Sequence, residues 1–236
     1  MISVKHAALV ATALVSLTAI VACSGARPAP TPSPSASASP ASANGLGSAR
    51  GADERPVILF VGTSLTAGLG LDPSEAYPAL VQAKLDAAGL RYRVVNAGVS
   101  GETSAGARRR VEWLLRQPVA VLVLETGAND GLRGQDPDAT RANIQAILDE
   151  ASRREPPPRL VLAAMEALPN YGEAYRRRFR AIYPELAKAN AATLLPFLLE
   201  GVAGEPALNQ SDGIHPTAEG HARIADNVWK ALRPIL

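Results

Sequence analysis

From Arg55 to the end of the chain, short apolar runs alternate with helix-length stretches. The runs are Val57–Val61, Tyr92–Val95, Val119–Leu124, Leu160–Ala164 and Thr193–Leu195. Between and after them, the spacing predicts helices over Ser74–Ala88, Ala105–Arg116, Pro137–Arg154, Glu173–Ala189 and Thr217–Leu232. Such alternation joins strands that run the same way, and a parallel sheet is covered by helices on both faces. The expectation is an α/β fold, with one domain over residues 53–236 and no internal repeat.

The stretch ahead of this domain has a different character. Lys5 and His6 precede Ala7–Ala22, which is almost wholly apolar. That run is shorter than the ~20 residues a spanning helix needs, so residues 1–22 read as a signal peptide. It ends Ile20-Val21-Ala22-Cys23, which resembles a bacterial lipobox, and Cys23 is the only cysteine of the 236 residues. Cys23 is therefore the expected lipidation site, on an exported protein anchored to a bacterial membrane in the periplasm or at the cell surface. The alternative is an ordinary signal peptide with an incidental cysteine. Residues 23–52 are mostly Pro, Ala, Ser and Gly, a composition expected of a disordered tether. A coil of that length reaches roughly 30 Å.

Charge excludes some function classes. Lysine plus arginine number 24 against 22 acidic residues, so no basic footprint for nucleic acid is present. Three histidines and one cysteine do not support a His/Cys zinc site. Arg108–Arg110 and Arg176–Arg178 fall in predicted helices and read as solvated faces.

In open α/β sheets, ligands bind beyond the carboxyl ends of the strands. Polar, glycine-containing segments follow four of the expected strands: Gly62-Thr63-Ser64, Asn96–Thr103, Glu125–Gly131 and the loop holding Asp212–Pro216. Ser64 is expected exposed at the tip of a turn, as a nucleophile if a base can take its proton. His6 leaves with the leader, and His221 lies inside the last predicted helix, which leaves His215 as the base. Asp212, three residues earlier, can reach Nδ1 of that ring and leave Nε2 to face a serine. Alternatively, Asp212 and Thr217 shape a loop and cap the last helix. Oxyanion donors are available at Ser64 N–H, Gly98 N–H and the Asn129 side-chain amide. Turn geometry alone could equally explain Gly98, and an Asx-turn Asn129.

Ser64, Gly98, Asn129 and His215, each in its own block, resemble the signature residues of the SGNH, or GDSL-type, hydrolases. The resemblance spans residues 56–236. The segments Asn96–Thr103, Gly127–Gly134, Leu168-Pro169-Asn170-Tyr171-Gly172 and Asp212–Pro216 are similar to the arylesterase branch, which includes acyl-CoA thioesterase/lysophospholipase enzymes. The resemblance implies a three-layer α/β/α sandwich with a five-stranded parallel sheet, a flavodoxin-like arrangement. It also implies a serine esterase acting through Ser64, Asp212 and His215 on short to medium acyl esters, with thioesters and lysophospholipids in range. The partners would be a small-molecule ester and, through Cys23, a membrane; no cofactor or metal is called for. Two other readings use the same residues: a carbohydrate or peptidoglycan O-acetyl esterase, and a ligand-binding lipoprotein without catalysis. The chain departs from the family at Thr63, where aspartate is usual, and at Ala128, where glycine is common. Thr66 stands where a Gly-x-Ser-x-Gly elbow would need its last glycine, which argues against the larger α/β-hydrolase fold.

Overall fold

β1 (Val57–Gly62) and β3 (Val121–Glu125) are buried along their whole lengths. A strand covered on both faces has no solvent side to keep polar, so both read as continuous apolar runs. They lie side by side at the centre of a five-stranded sheet in a computed structural model of the chain, which describes residues 54–236. The leader, Cys23 and the tether expected over residues 1–52 lie outside the described residues.

The other strands are β2 (Arg93–Gly98), β4 (Arg159–Ala163) and β5 (Thr193–Leu195). Their order is β2-β1-β3-β4-β5, and every neighbouring pair is parallel. The helices are α1 (Ser64–Ala67), α2 (Tyr77–Ala87), α3 (Ser104–Leu114), α4 (Ala128–Leu132), α5 (Pro137–Ser152), α6 (Gly172–Ala189) and α7 (Ala218–Leu232). Right-handed crossovers with this strand order put α2 and α7 on one face and α3, α5 and α6 on the other. The helices pack in those two groups, giving the expected three-layer α/β/α sandwich. β1 is entered from the edge of the sheet opposite to the loops that leave β1 and β3. α7 returns to that same entry edge, where the Arg159 guanidinium at the start of β4 donates to the carbonyl of Ile235.

The structure departs from the sequence expectation at β2, at α2 and directly after β1 and β3. β2 runs on to Gly98, because its ladder with β1 continues through Phe60↔Asn96, Val61↔Ala97 and Gly62↔Gly98 although the side chains turn polar and small. α2 starts at Tyr77 rather than Ser74. The Asp72 carboxylate accepts the Ser74 N–H at 2.9 Å and the Ser74 hydroxyl at 2.6 Å, holding those residues in a turn that competes with helix. Two short helices, α1 and α4, follow β1 and β3 directly where loops were expected. The strand order reverses between β1 and β3, and that switch point is where an open parallel sheet forms its crevice.

Candidate active site

Ser64 is the first residue of α1, and Thr63 is its N-cap. The Thr63 hydroxyl accepts the Leu65 N–H at 3.4 Å, and the helix closes after four residues with Gly68 in the left-handed region. Entry into this helix folds Ser64 inward. It is 8% exposed, which corrects the expectation of a serine displayed at a turn tip.

Its Oγ is 2.9 Å from His215 Nε2, and His215 Nδ1 is 2.6 Å from Asp212 Oδ2. The other Asp212 oxygen accepts the N–H groups of His215 at 3.0 Å and Ile214 at 2.9 Å. The His215 N–H, the imidazole and then the Ile214 N–H hold the Asp212 carboxyl well below the usual carboxylate range. Asp212 is thus an anionic acceptor, which puts the imidazole proton on Nδ1 and leaves Nε2 to accept the serine proton. His221 is buried, and its Nδ1 accepts the Tyr77 N–H at 3.1 Å. Burial pushes it down to about 4, so it is a neutral structural imidazole outside this chain of bonds.

The structure moves one expected donor. Gly98 N–H is given to Asn96 Oδ1 at 2.9 Å, and Gly98 does not line the cleft. Its need for glycine is steric, since a Cβ there would meet the Ala67 backbone nitrogen at 2.3 Å. Gly101, three residues on, does line the cleft and has a φ of +76°. Neither its N–H nor that of Ser64 has an acceptor among the described residues. Asn129 lines the same cleft; one amide hydrogen goes to the Glu102 carbonyl at 3.0 Å, and the other is uncommitted among the described residues. The geometry therefore favours Ser64, Gly101 and Asn129 as donors over the set containing Gly98.

Supporting contacts explain why these loops stay together. Arg110 grips the Glu102 carboxylate with its Nε at 2.7 Å and Nη2 at 2.6 Å, and Nη2 also reaches the Gly62 carbonyl at 3.4 Å. That ties the Gly101 loop to the end of β1, so Arg110 is more than the solvated residue expected. Buried Asp130 accepts the Ser104 N–H at 2.9 Å and its hydroxyl at 2.5 Å, pinning the start of α3 to α4. Arg176, also expected on a solvated face, lines the cleft and donates to the Ala167 carbonyl at 3.3 Å. The cleft holds about 550 Å³ and is walled mainly by apolar side chains, among them Leu65, Leu132, Met165, Leu168 and Phe197.

A serine, an imidazole and a carboxylate in hydrogen-bonded series, beside unspent N–H donors, can carry out nucleophilic acyl transfer. Residues 60–223 match the GDSL-like Lipase/Acylhydrolase family. The chain belongs to this family. Esterase TesA of Pseudomonas aeruginosa is 41% identical over 180 residues, covering 76% of this chain and 89% of that one. The Thioesterase 1/protease 1/lysophospholipase L1 of Escherichia coli strain K12 is 41% identical over 181 residues, covering 76% of this chain and 84% of its own. The crystal structure of the psychrotrophic esterase EstA from Pseudoalteromonas sp., inhibited by monoethylphosphonate, superposes with a TM-score of 0.72 at 32% identity, covering 76% of this chain and 97% of that one. This GDSL-like chain has one polar residue beside its nucleophile turn that sequence reading did not single out. Glu125, the last residue of β3, is fully buried beneath Thr63. The only sequence signal is an acid closing the apolar run Val121–Leu124.

Proposed function

We propose that this protein is a carboxylic ester hydrolase that forms an acyl-enzyme on Ser64. The observation that carries the reading is the unbroken series from Asp212 to His215 to Ser64, at 2.6 Å and 2.9 Å, opening on an apolar cleft. His215 Nε2 takes the serine proton as Oγ attacks the acyl carbonyl carbon. Asp212 fixes the tautomer and stabilises the imidazolium. Ser64 N–H, Gly101 N–H and the Asn129 amide receive the developing oxyanion. His215 then protonates the leaving alcohol or thiol, and water repeats the sequence to release the acid.

The apolar wall supports short to medium acyl chains. The names of the relatives support aryl ester, thioester and lysophospholipid substrates. An apolar pocket separates neighbouring chain lengths by only about 1–3 kcal/mol per methylene. Broad activity is therefore expected on a panel of aryl esters of increasing chain length, with acyl thioesters and lysophospholipids slower or equal and peptides inert. Activity confined to acetyl groups would replace this reading with the carbohydrate O-acetyl esterase.

The lipobox at Cys23 supports an exported, membrane-anchored protein. Among the described residues no helix is long and apolar enough to cross a membrane. Cys23→Ala is expected to move the protein from the membrane fraction to the soluble one. A wild type already wholly soluble outside the cytoplasm would end that part of the proposal.

A further inference from the structure

Glu125 has no exposure to solvent and sits under the turn between β1 and α1. Its Oε2 accepts the Thr63 N–H at 2.8 Å and the Thr66 hydroxyl at 2.9 Å. The Thr63 hydroxyl lies 3.1 Å and 3.0 Å from its two oxygens. Gly62 makes room for it, since a Cβ there would stand 2.6 Å from Oε2 and 1.9 Å from the Thr66 hydroxyl oxygen. No cation pairs with it among the described residues, so hydrogen bonds alone hold the carboxyl group. A buried charge held that way is expensive, and an apolar residue would serve packing better.

The arrangement of donors around Glu125 supports the carboxylate. The Thr63 hydroxyl accepts the Leu65 N–H with one lone pair, and its own proton is within reach of either Glu125 oxygen. The Thr66 hydroxyl lies 2.7 Å from the Tyr77 hydroxyl. If Tyr77 donates to Thr66, Thr66 donates to Glu125 and every proton has an acceptor. Were Glu125 to donate to Thr66 instead, either the Tyr77 or the Thr66 hydroxyl proton would have no acceptor among the described residues. Burial raises the Glu125 pKa, while the Thr63 N–H and the two threonine hydroxyls oppose that rise.

We propose that Glu125 is a positioning residue for Ser64: its carboxylate clamps both ends of the nucleophile turn through Thr63 and Thr66. This rests on the reading of Ser64 as nucleophile. A four-residue helix has little stability of its own. The peptide leading into its N-cap is fixed by the Thr63 N–H and its third residue by the Thr66 hydroxyl, both on one oxygen of Glu125. The Gly62–Thr63 peptide so fixed directly precedes the Thr63–Ser64 peptide that carries the Ser64 N–H, and the turn aims Oγ at His215. Glu125 touches neither substrate nor reacting atom. Its effect is on how often the serine stands in line.

The test uses Glu125→Gln, which sets an amide donor against donors, in the full chain. Burst titration with an activated aryl ester counts competent sites, and fluorophosphonate labelling gives the rate of attack at Ser64. A purely structural residue would reduce the number of competent sites and leave turnover per site unchanged. The expected result is a fall of about 10²-fold in turnover per site and in labelling rate, with KM within about threefold. Turnover per site within twofold of wild type would overturn the proposal. Should Glu125→Gln fail to fold, Thr63→Val and Thr66→Val each remove one hydroxyl without adding a donor. Each is expected to lose roughly 3- to 10-fold per site, and unchanged turnover in both would overturn the proposal equally. Labelling of the wild type against a Ser64→Ala blank tests the nucleophile separately. A wild type that hydrolyses esters but does not label would overturn the serine reading and this proposal together.

Discussion

Ser64→Ala and His215→Ala are each expected to lower kcat on an aryl ester by about 10⁶-fold, with KM little changed. The 2.9 Å contact between them makes the pair one device, since a serine without its base stays protonated and a base without its serine has nothing to activate. Combining the two substitutions should therefore add almost nothing to either alone. Residual activity over the uncatalysed reaction should survive, because the N–H donors and the cleft still bind the transition state. Circular dichroism on each variant separates lost chemistry from lost folding. A folded Ser64→Ala protein with wild-type turnover would falsify the mechanism.

Asp212→Ala should cost about 10⁴-fold in kcat, large but below the other two. The carboxylate fixes the imidazole through the 2.6 Å bond to Nδ1, so its removal frees the ring to turn and to carry its proton on either nitrogen. The effect stays smaller because the Asp212 side chain is 46% exposed, and water can take over part of the hydrogen bonding. The His215 side chain, at 19% exposed, remains held by its place in the loop. Equal losses for Asp212→Ala and His215→Ala would mean that the acid does more than orient.

The sequence was legible where a residue type is scarce and its place in the strand–helix alternation is fixed. With His6 assigned by expectation to a leader and His221 to a helix, His215 followed by elimination, and Asp212 followed from its spacing. The sheet was legible because strands buried on both faces must be apolar throughout. The glycine donor was not legible, because Asn96–Thr103 contains two glycines and only the parallel register makes the first a strand residue. Gly98 is pressed against α1, and the segment turns into the cleft only at Gly101. Glu125 escaped for a related reason. A polar residue at a strand's carboxyl end reads as part of a ligand site, and nothing in its neighbours says that it points under the adjoining turn. Thr63 changes meaning as well. In sequence it is a departure from the family's usual aspartate, yet its hydroxyl lies against a carboxyl group already present, and an aspartate there would face that group at close range.

The route of the chain through the sheet bears on how the domain could be handled as a reagent. The described residues begin on the entry edge of β1, and α7 brings Ile235 back to that edge. The cleft opens at the other edge, beyond the six residues of β1, a separation of about 20 Å at the rise of a strand. A bead, an electrode or a fluorescent fusion joined at either end of the described domain would therefore hold it from behind. Its mouth would face the medium, and neither attachment would compete with an incoming ester for space.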